Sequence, residues 1–166
     1  MKIMVVVASK HGSTREIAEV IAAELRLQKF SVDLVEAEHV NGLAEYNAVV
    51  FGSGVYAGNW LPEAVNFANH FQKELAQIPV WLFSSGPLGR EKPQPQEDPD
   101  KLAASLGDVK ARDHHIFVGK LDLADLTFAE RMLVKAVRAP IGDFRNWTEI
   151  RAWAHSIASE LRAANH

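Results

Sequence analysis

The sequence predicts an α/β fold: a three-layer, doubly wound sandwich around a five-stranded parallel sheet of order 2-1-3-4-5, with an insertion after the fifth strand. Three observations carry that expectation. Strand-like and helix-like patterns alternate along the whole chain, which argues for right-handed β–α–β crossovers. The strand-like runs are continuously apolar, as in Lys2–Ala8, the mark of strands covered on both faces. The 166 residues are 48% apolar and 23% charged with a formal net charge of −3, an ordinary globular composition, and one domain over residues 1–166 is expected.

Taken in order, Lys2–Ala8 is a β-branched run and forms the first strand. From Thr14 to Leu27, Ile17, Val20, Ile21 and Leu25 recur at helical spacing opposite Arg15, Glu19 and Arg26, giving an amphipathic helix. Ser31–Glu36 and Ala48–Ser53 read as the second and third strands, with room between them for one short helix. Pro62 suits the first turn of a helix that runs through Ala64, Val65, Ala68, Phe71 and Leu75 and ends before Pro79. Pro79–Ser84 is the fourth strand and His114–Gly119 the fifth. Trp147–Ala163 is a closing helix with Ile150, Trp153, Ala154, Ile157 and Leu161 on one stripe, and Asn146 or Asp143 is its candidate cap. Two segments exceed this minimal plan: the Gly/Pro-rich stretch 86–99 and the insertion 121–146.

Composition excludes several function classes. No cysteine means no disulfide, thiolate zinc site, iron–sulfur ligation or thiol catalysis, so redox chemistry requires a bound cofactor. No apolar run approaches the ~18 residues of a membrane span, and the N-terminus reads as a strand rather than a signal peptide, so a cytoplasmic protein is expected. A pI near 6.2 without a strong basic cluster argues against nucleic acid and for a small ligand. His114-His115 cannot make a metal site alone, because alternate strand residues face opposite ways, and no metal is expected. Ser84 and Ser85 lack the G-x-S-x-G elbow of a hydrolase.

In a doubly wound sheet, ligands bind at the carboxyl ends of the strands. The loop after the first strand, Ser9-Lys10-His11-Gly12-Ser13-Thr14, offers hydroxyls, a glycine and a helix N-terminus, the donors and close backbone approach that a phosphate needs. Glu16 stands three residues after Ser13, at capping-box spacing. A Walker A loop is absent. Ser9-x-x-Gly12-x-Thr14 after an N-terminal apolar strand resembles the phosphate loop of the flavodoxin superfamily. The resemblance implies FMN as cofactor, its phosphate surrounded by Ser9, His11, Gly12, Ser13 and Thr14, with Lys10 and Arg15 able to add charge.

After the third strand, Gly52-x-Gly54-x-x-Ala57 imitates a dinucleotide fingerprint but lies on the wrong turn, with its helix starting too late. The segment Ser53, Gly54, Val55, Tyr56, Ala57, Gly58 and Trp60 instead suits a flat ring, with glycines for close approach and Tyr56 and Trp60 as stacking faces. After the fourth strand, Ser84, Ser85, Gly86 and Pro87 resemble the flavodoxin segment that meets the pyrimidine edge of the flavin. No aromatic stands there, so one flavin face is expected to stay open to a substrate, as in an enzyme.

Residues 126–138 of the insertion place Leu126, Phe128, Ala129, Met132, Leu133, Ala136 and Val137 on one half of a helix and Arg131, Lys135 and Arg138 opposite. Such a helix either packs on the domain as a lid or makes a weak peripheral contact with an anionic membrane, here on its inner face. The Thr14–Ala18 helix start, Tyr56, Gly58, the stretch Arg90-Glu91-Lys92-Pro93 and the insertion resemble the flavodoxin-type menaquinone-dependent protoporphyrinogen oxidases of heme biosynthesis. That resemblance implies an FMN oxidoreductase that passes electrons from an organic donor, such as a porphyrinogen, to a quinone. The net charge of −3 offers little electrostatic steering toward a partner protein, which also favours an enzyme over a carrier. A flavodoxin-like electron carrier and a relative that has lost its flavin are the alternatives.

Overall fold

In the computed structural model of the protein, residues 1–56, 58–86, 104 and 106–165 are described. Five parallel strands, β1 (Lys2–Ala8), β2 (Ser31–Glu36), β3 (Ala48–Tyr56), β5 (Val80–Ser85) and β6 (Asp113–Phe117), lie in the order β2-β1-β3-β5-β6. This is the predicted 2-1-3-4-5 arrangement. Register is set by runs such as Ile3 opposite Val32 on one side and Ala48 on the other.

The continuous apolar character of β1 follows from its position. Ile3, Val5 and Val7 face one layer, where α1 (Ser13–Leu27) supplies Ile17, Ile21 and Leu25 and the C-terminal helix supplies Ile150, Trp153, Ile157 and Leu161. Met4, Val6 and Ala8 face the other, with Phe67 of α2 (Pro62–His70) and Leu75 of α3 (Gln72–Leu75). Alternate side chains thus enter two separate cores.

Several expectations need correction. The helix expected from Pro62 to Leu75 is two helices, because Phe71 leaves helical geometry at φ −102°, ψ 20°. The short helix between the second and third strands is a single 3-10 turn, Ala37–His39. The third strand does not stop at Ser53. It runs to Tyr56 and turns back on itself, Val55 opposite Trp60 and Tyr56 opposite Asn59 in the antiparallel strand β4 (Asn59–Trp60), with Gly58 at φ +76° in the connection. The fifth strand of the sheet is Asp113–Phe117, shifted toward the N-terminus. Its start is fixed by Asp113, whose carboxylate accepts the Trp153 indole N–H at 2.7 Å.

The insertion folds as β7 (Lys120–Leu121), a 3-10 turn at Leu123–Asp125, α4 (Phe128–Val137) and β8 (Gly142–Asp143), which pairs antiparallel with β7. Then α5 (Trp147–Ala163) closes the chain, capped by Asn146, whose side-chain oxygen accepts the Glu149 N–H at 3.1 Å. Asp143 has another role. It holds Arg145, and that guanidinium, 4% exposed, also reaches Glu16 at 2.6 Å and the Ser13 carbonyl at 3.3 Å. The return of the insertion is thereby fastened to the first turn of α1.

Candidate functional site

The segment following β1, the carboxyl ends of β3 and β5 and the insertion together line a half-open cavity of about 260 Å³. Its lining begins with His11, Ser13 and Thr14 from the start of α1, Gly54, Val55 and Tyr56 from β3, and Ser85 and Gly86 from β5. The opposite wall is the insertion: Gly119, Lys120, Leu121 and Asp122 near β7, then Asp125, Leu126, Glu130, Leu133, Val134 and Ala139. Charged and apolar groups therefore share one small chamber.

At the phosphate-loop end, α1 has no side-chain cap. Gly12 is its N-cap at φ +86°, a left-handed conformation that suits glycine, and Ser13 is the first helical residue. The capping box expected between Ser13 and Glu16 is therefore not formed, and the Glu16 carboxylate turns to Arg145 instead. This leaves the Ser13 hydroxyl buried without a hydrogen-bond partner. A buried hydroxyl beside first-turn N–H groups, which have no intrahelical acceptor, is an uncompensated donor set that an anion satisfies. Ser9 has a supporting part, since its Oγ accepts the Gly12 N–H at 3.0 Å and holds the loop.

Gly54 sets the distance between strand and helix. A side chain there would meet Thr14 Oγ1 and the Tyr56 ring at 3.2 Å. Tyr56 is 40% exposed, with the His11 ring edge-on at 6.3 Å and the Lys10 ammonium 5.6 Å over its face. Burial, and next the charge of Glu130, raise its pKa and keep the phenol protonated. Glu130 closes this corner. One carboxylate oxygen meets Lys10 Nζ at 2.5 Å and His11 Nε2 at 3.2 Å, and the other accepts the Thr127 N–H at 2.8 Å. Thr127 Oγ1 accepts the Glu130 N–H in return, completing a capping box on α4.

The sequence-predicted residues divide accordingly. His11, Ser13, Thr14, Gly54, Val55, Tyr56, Ser85 and Gly86 meet at the cavity, and Gly12 shapes the loop behind them. Ser9 and Lys10 border a different, shallower cleft of about 340 Å³ beside Glu36 and Glu63. Three others turn away from the cavity. Trp60 is 3% exposed, packed edge-on to Phe51 at 5.0 Å, and its indole N–H donates to Ser84 Oγ at 2.8 Å. Ser84 is fully buried and also meets His114 Nε2 at 2.8 Å. Ser53 Oγ bonds the Gly54 carbonyl and the Leu61 N–H and lies in the interior. Alternation along β3 and β5 sends Ser53 and Ser84 to the core while Gly54, Tyr56 and Ser85 reach the site, and β4 turns Trp60 inward and Asn59 outward. Likewise Gly52 accommodates the Phe83 ring, 2.1 Å from where a side-chain carbon would sit, and not a ligand ring. Ala57, Pro87 and the basic stretch 90–93 lie outside the described residues. Among the described residues no group of three or more His, Asp or Glu side chains could hold a metal ion.

The sequence offers the insertion helix as a lid but names none of its residues at the site. One signal was present: Thr127-x-x-Glu130 is a capping-box spacing ahead of an apolar run, and it fixes the helix start that points Glu130 inward.

The chain matches the flavodoxin domain family over residues 4–146. It belongs to that family. FMN is accordingly the cofactor of this flavodoxin domain, and the buried Ser13 hydroxyl, the Gly54 approach and the Tyr56 face fit such a group. Among solved structures, the domain resembles Flavodoxin 2 from Bacillus cereus, at 21% identity and a TM-score of 0.65 over 96% of this chain and 99% of that one. It also resembles a flavodoxin from the domain Archaea, at 18% identity and a TM-score of 0.62 over 98% and 99%. The rubredoxin oxygen:oxidoreductase from Desulfovibrio gigas gives 18% identity and a TM-score of 0.65, but the domain spans only 36% of that chain. Likenesses at such identities show the fold. No curated protein matches this flavodoxin domain in sequence.

Proposed function

We propose that the protein is an FMN-dependent oxidoreductase of the protoporphyrinogen-oxidase type, passing electrons from an organic donor through FMN to a quinone-like acceptor. The observation that carries this is the insertion wall. Leu121, Leu126, Leu133 and Val134 cover the site with apolar surface, while Lys120, Asp122 and Asp125 supply charge beside it, a combination suited to selecting an apolar small molecule with polar substituents. A carrier that exchanges electrons at an open edge has no use for such a cover.

In this reading Ser13, Thr14 and the first-turn N–H groups of α1 hold the phosphate, with Gly12 allowing close backbone approach. Tyr56 stacks against the ring, and the backbone of Ser85, Gly86 and Gly119 meets its polar edge. When bound, FMN supplies the capacity to accept and release electrons, and the protein supplies position and electrostatics. Tyr56 stays protonated and offers a neutral face, and the insertion adds an apolar wall beside it. Exposed Phe128, Met132, Leu133 and Val137, with Arg131, Lys135 and Arg138 nearby, also fit a peripheral contact with an anionic membrane that holds an apolar acceptor.

The electron-carrier reading is favoured by the end-to-end likeness to flavodoxins. Absorbance after incubation with FMN and desalting decides the first point. Retained flavin bands are expected, and a colourless protein that also fails to quench FMN fluorescence overturns the reading. Steady turnover of a quinone by a reduced organic donor, with no partner protein added, separates enzyme from carrier. Thr14→Ala is expected to weaken FMN binding about tenfold, the scale of one hydrogen bond to a charged group, and unchanged affinity removes the phosphate-loop assignment.

A further inference from the structure

Glu130 joins the start of the insertion helix to the phosphate loop: it grips Lys10 and His11 through one oxygen and its own helix cap through the other. The Lys10 ammonium, and then the Thr127 N–H, hold its carboxyl down at about 2, so it is an anion at every ordinary pH. The cavity beneath it, about 260 Å³, is smaller than the ~300–1,000 Å³ of ordinary ligand pockets. Glu130, Leu133 and Val134 of α4 form its roof, yet no residue of α4 is buried, so the helix is held down by little else. Phe128 and Val137 stand 80% and 64% exposed.

We propose that Glu130 is an internal anionic latch that competes with the phosphate of the ligand for the Lys10–His11 corner, so that seating the phosphate loosens the α4 end of the wall and widens the chamber there, while the β7 side from Leu121 to Leu126 stays in place. The argument rests on the phosphate-site assignment above. A phosphate monoester brings a charge of about −1.5 to −2 to the N-terminus of α1, against the Glu130 carboxylate that already holds the Lys10–His11 corner. Lys10 and His11 can neutralise one of them better than both. Repulsion is relieved by withdrawing the group that is not covalently part of the loop, and that group sits on a helix with no buried face. Glu130 is therefore a residue that sets affinity for phosphorylated ligands specifically, and it does so against binding.

Glu130→Gln tests this without disturbing the helix, because glutamine also completes a capping box. FMN and riboflavin differ only in the phosphate. The variant is expected to bind FMN roughly threefold to fivefold more tightly than the wild type, the scale of one partly exposed charge interaction, with riboflavin affinity unchanged. Amide hydrogen exchange over 127–137 is expected to be slow in the unliganded wild type, faster in unliganded Glu130→Gln, and faster in the wild type with FMN than with riboflavin. FMN affinity that is unchanged or weaker in the variant, or α4 more protected by FMN than by riboflavin, overturns the latch. If neither protein binds FMN, the proposed function fails instead. Inorganic phosphate then decides the latch, which stands if phosphate raises the melting temperature of the variant more than that of the wild type and falls if it does not.

Discussion

Tyr56 and Trp60 part at the end of β3: one faces the cavity and the other the core, although in the sequence both stand among glycines in the same loop-like stretch. The difference has separate consequences for stability and binding. Trp60→Phe keeps an aromatic ring against Phe51 but leaves Ser84 Oγ without its indole donor, a loss of about 1–2 kcal/mol. Thermal unfolding should then shift down by roughly 3–8 °C with FMN affinity unchanged. Tyr56→Ala is expected to reverse that pattern, lowering FMN affinity about tenfold with little loss of melting temperature. A Trp60→Phe protein that melts normally but loses FMN would restore Trp60 to the binding wall. What the sequence could not supply here was the facing of each side chain. The extension of β3 by three residues changes which of them alternate inward, and a hairpin with Gly58 at its turn is not signalled by the apolar run that ends at Phe51.

At the scale of elements, β1, α1 and α5 were legible because each has two-sided or one-striped burial that leaves a strong periodic mark. The insertion helix was legible as a helix and illegible in its placement. Its amphipathic pattern predicts a covered apolar face, but the structure partly covers Val134 and leaves Phe128, Met132, Leu133 and Val137 in the open. An apolar face of that kind, with Arg131, Lys135 and Arg138 able to reach anionic headgroups, is expected to bring the protein down with vesicles rich in anionic lipid at low salt and not with neutral ones. Each basic residue near such a surface contributes about 1 kcal/mol, so replacing Arg131 and Lys135 with alanine should weaken the association roughly thirtyfold. Complete recovery in the supernatant at low salt removes the membrane contact and leaves α4 as a lid alone.

Across the whole molecule, no helix among the described residues is long and apolar enough to cross a membrane, and the peripheral elements are fastened by carboxylates. Asp33 joins β2 to β1 and the segment before β3, accepting the Tyr46 hydroxyl at 2.7 Å and pairing with Lys2 at 3.0 Å. Asp143 holds Arg145 and the end of the insertion, and Glu130 holds its start. All three carboxyls are shifted down: Asp33 first by the Tyr46 hydrogen bond, Asp143 first by Arg145, and Glu130 to about 2 first by Lys10. A group with a depressed folded pKa stabilises the fold above its unfolded value, near 4, and loses that contribution as pH falls toward the folded value. The melting temperature is therefore expected to be insensitive to these three groups between pH 7 and about 5 and to fall steadily from about pH 4 downward. The insertion is held by two of the three clasps and by no buried helix face, so the exchange protection factors over 127–137 should fall in acid before those in β1 do. Protection factors that fall together in both segments, or a melting temperature unchanged down to pH 3, would mean that packing rather than these ion pairs secures the edges of the fold.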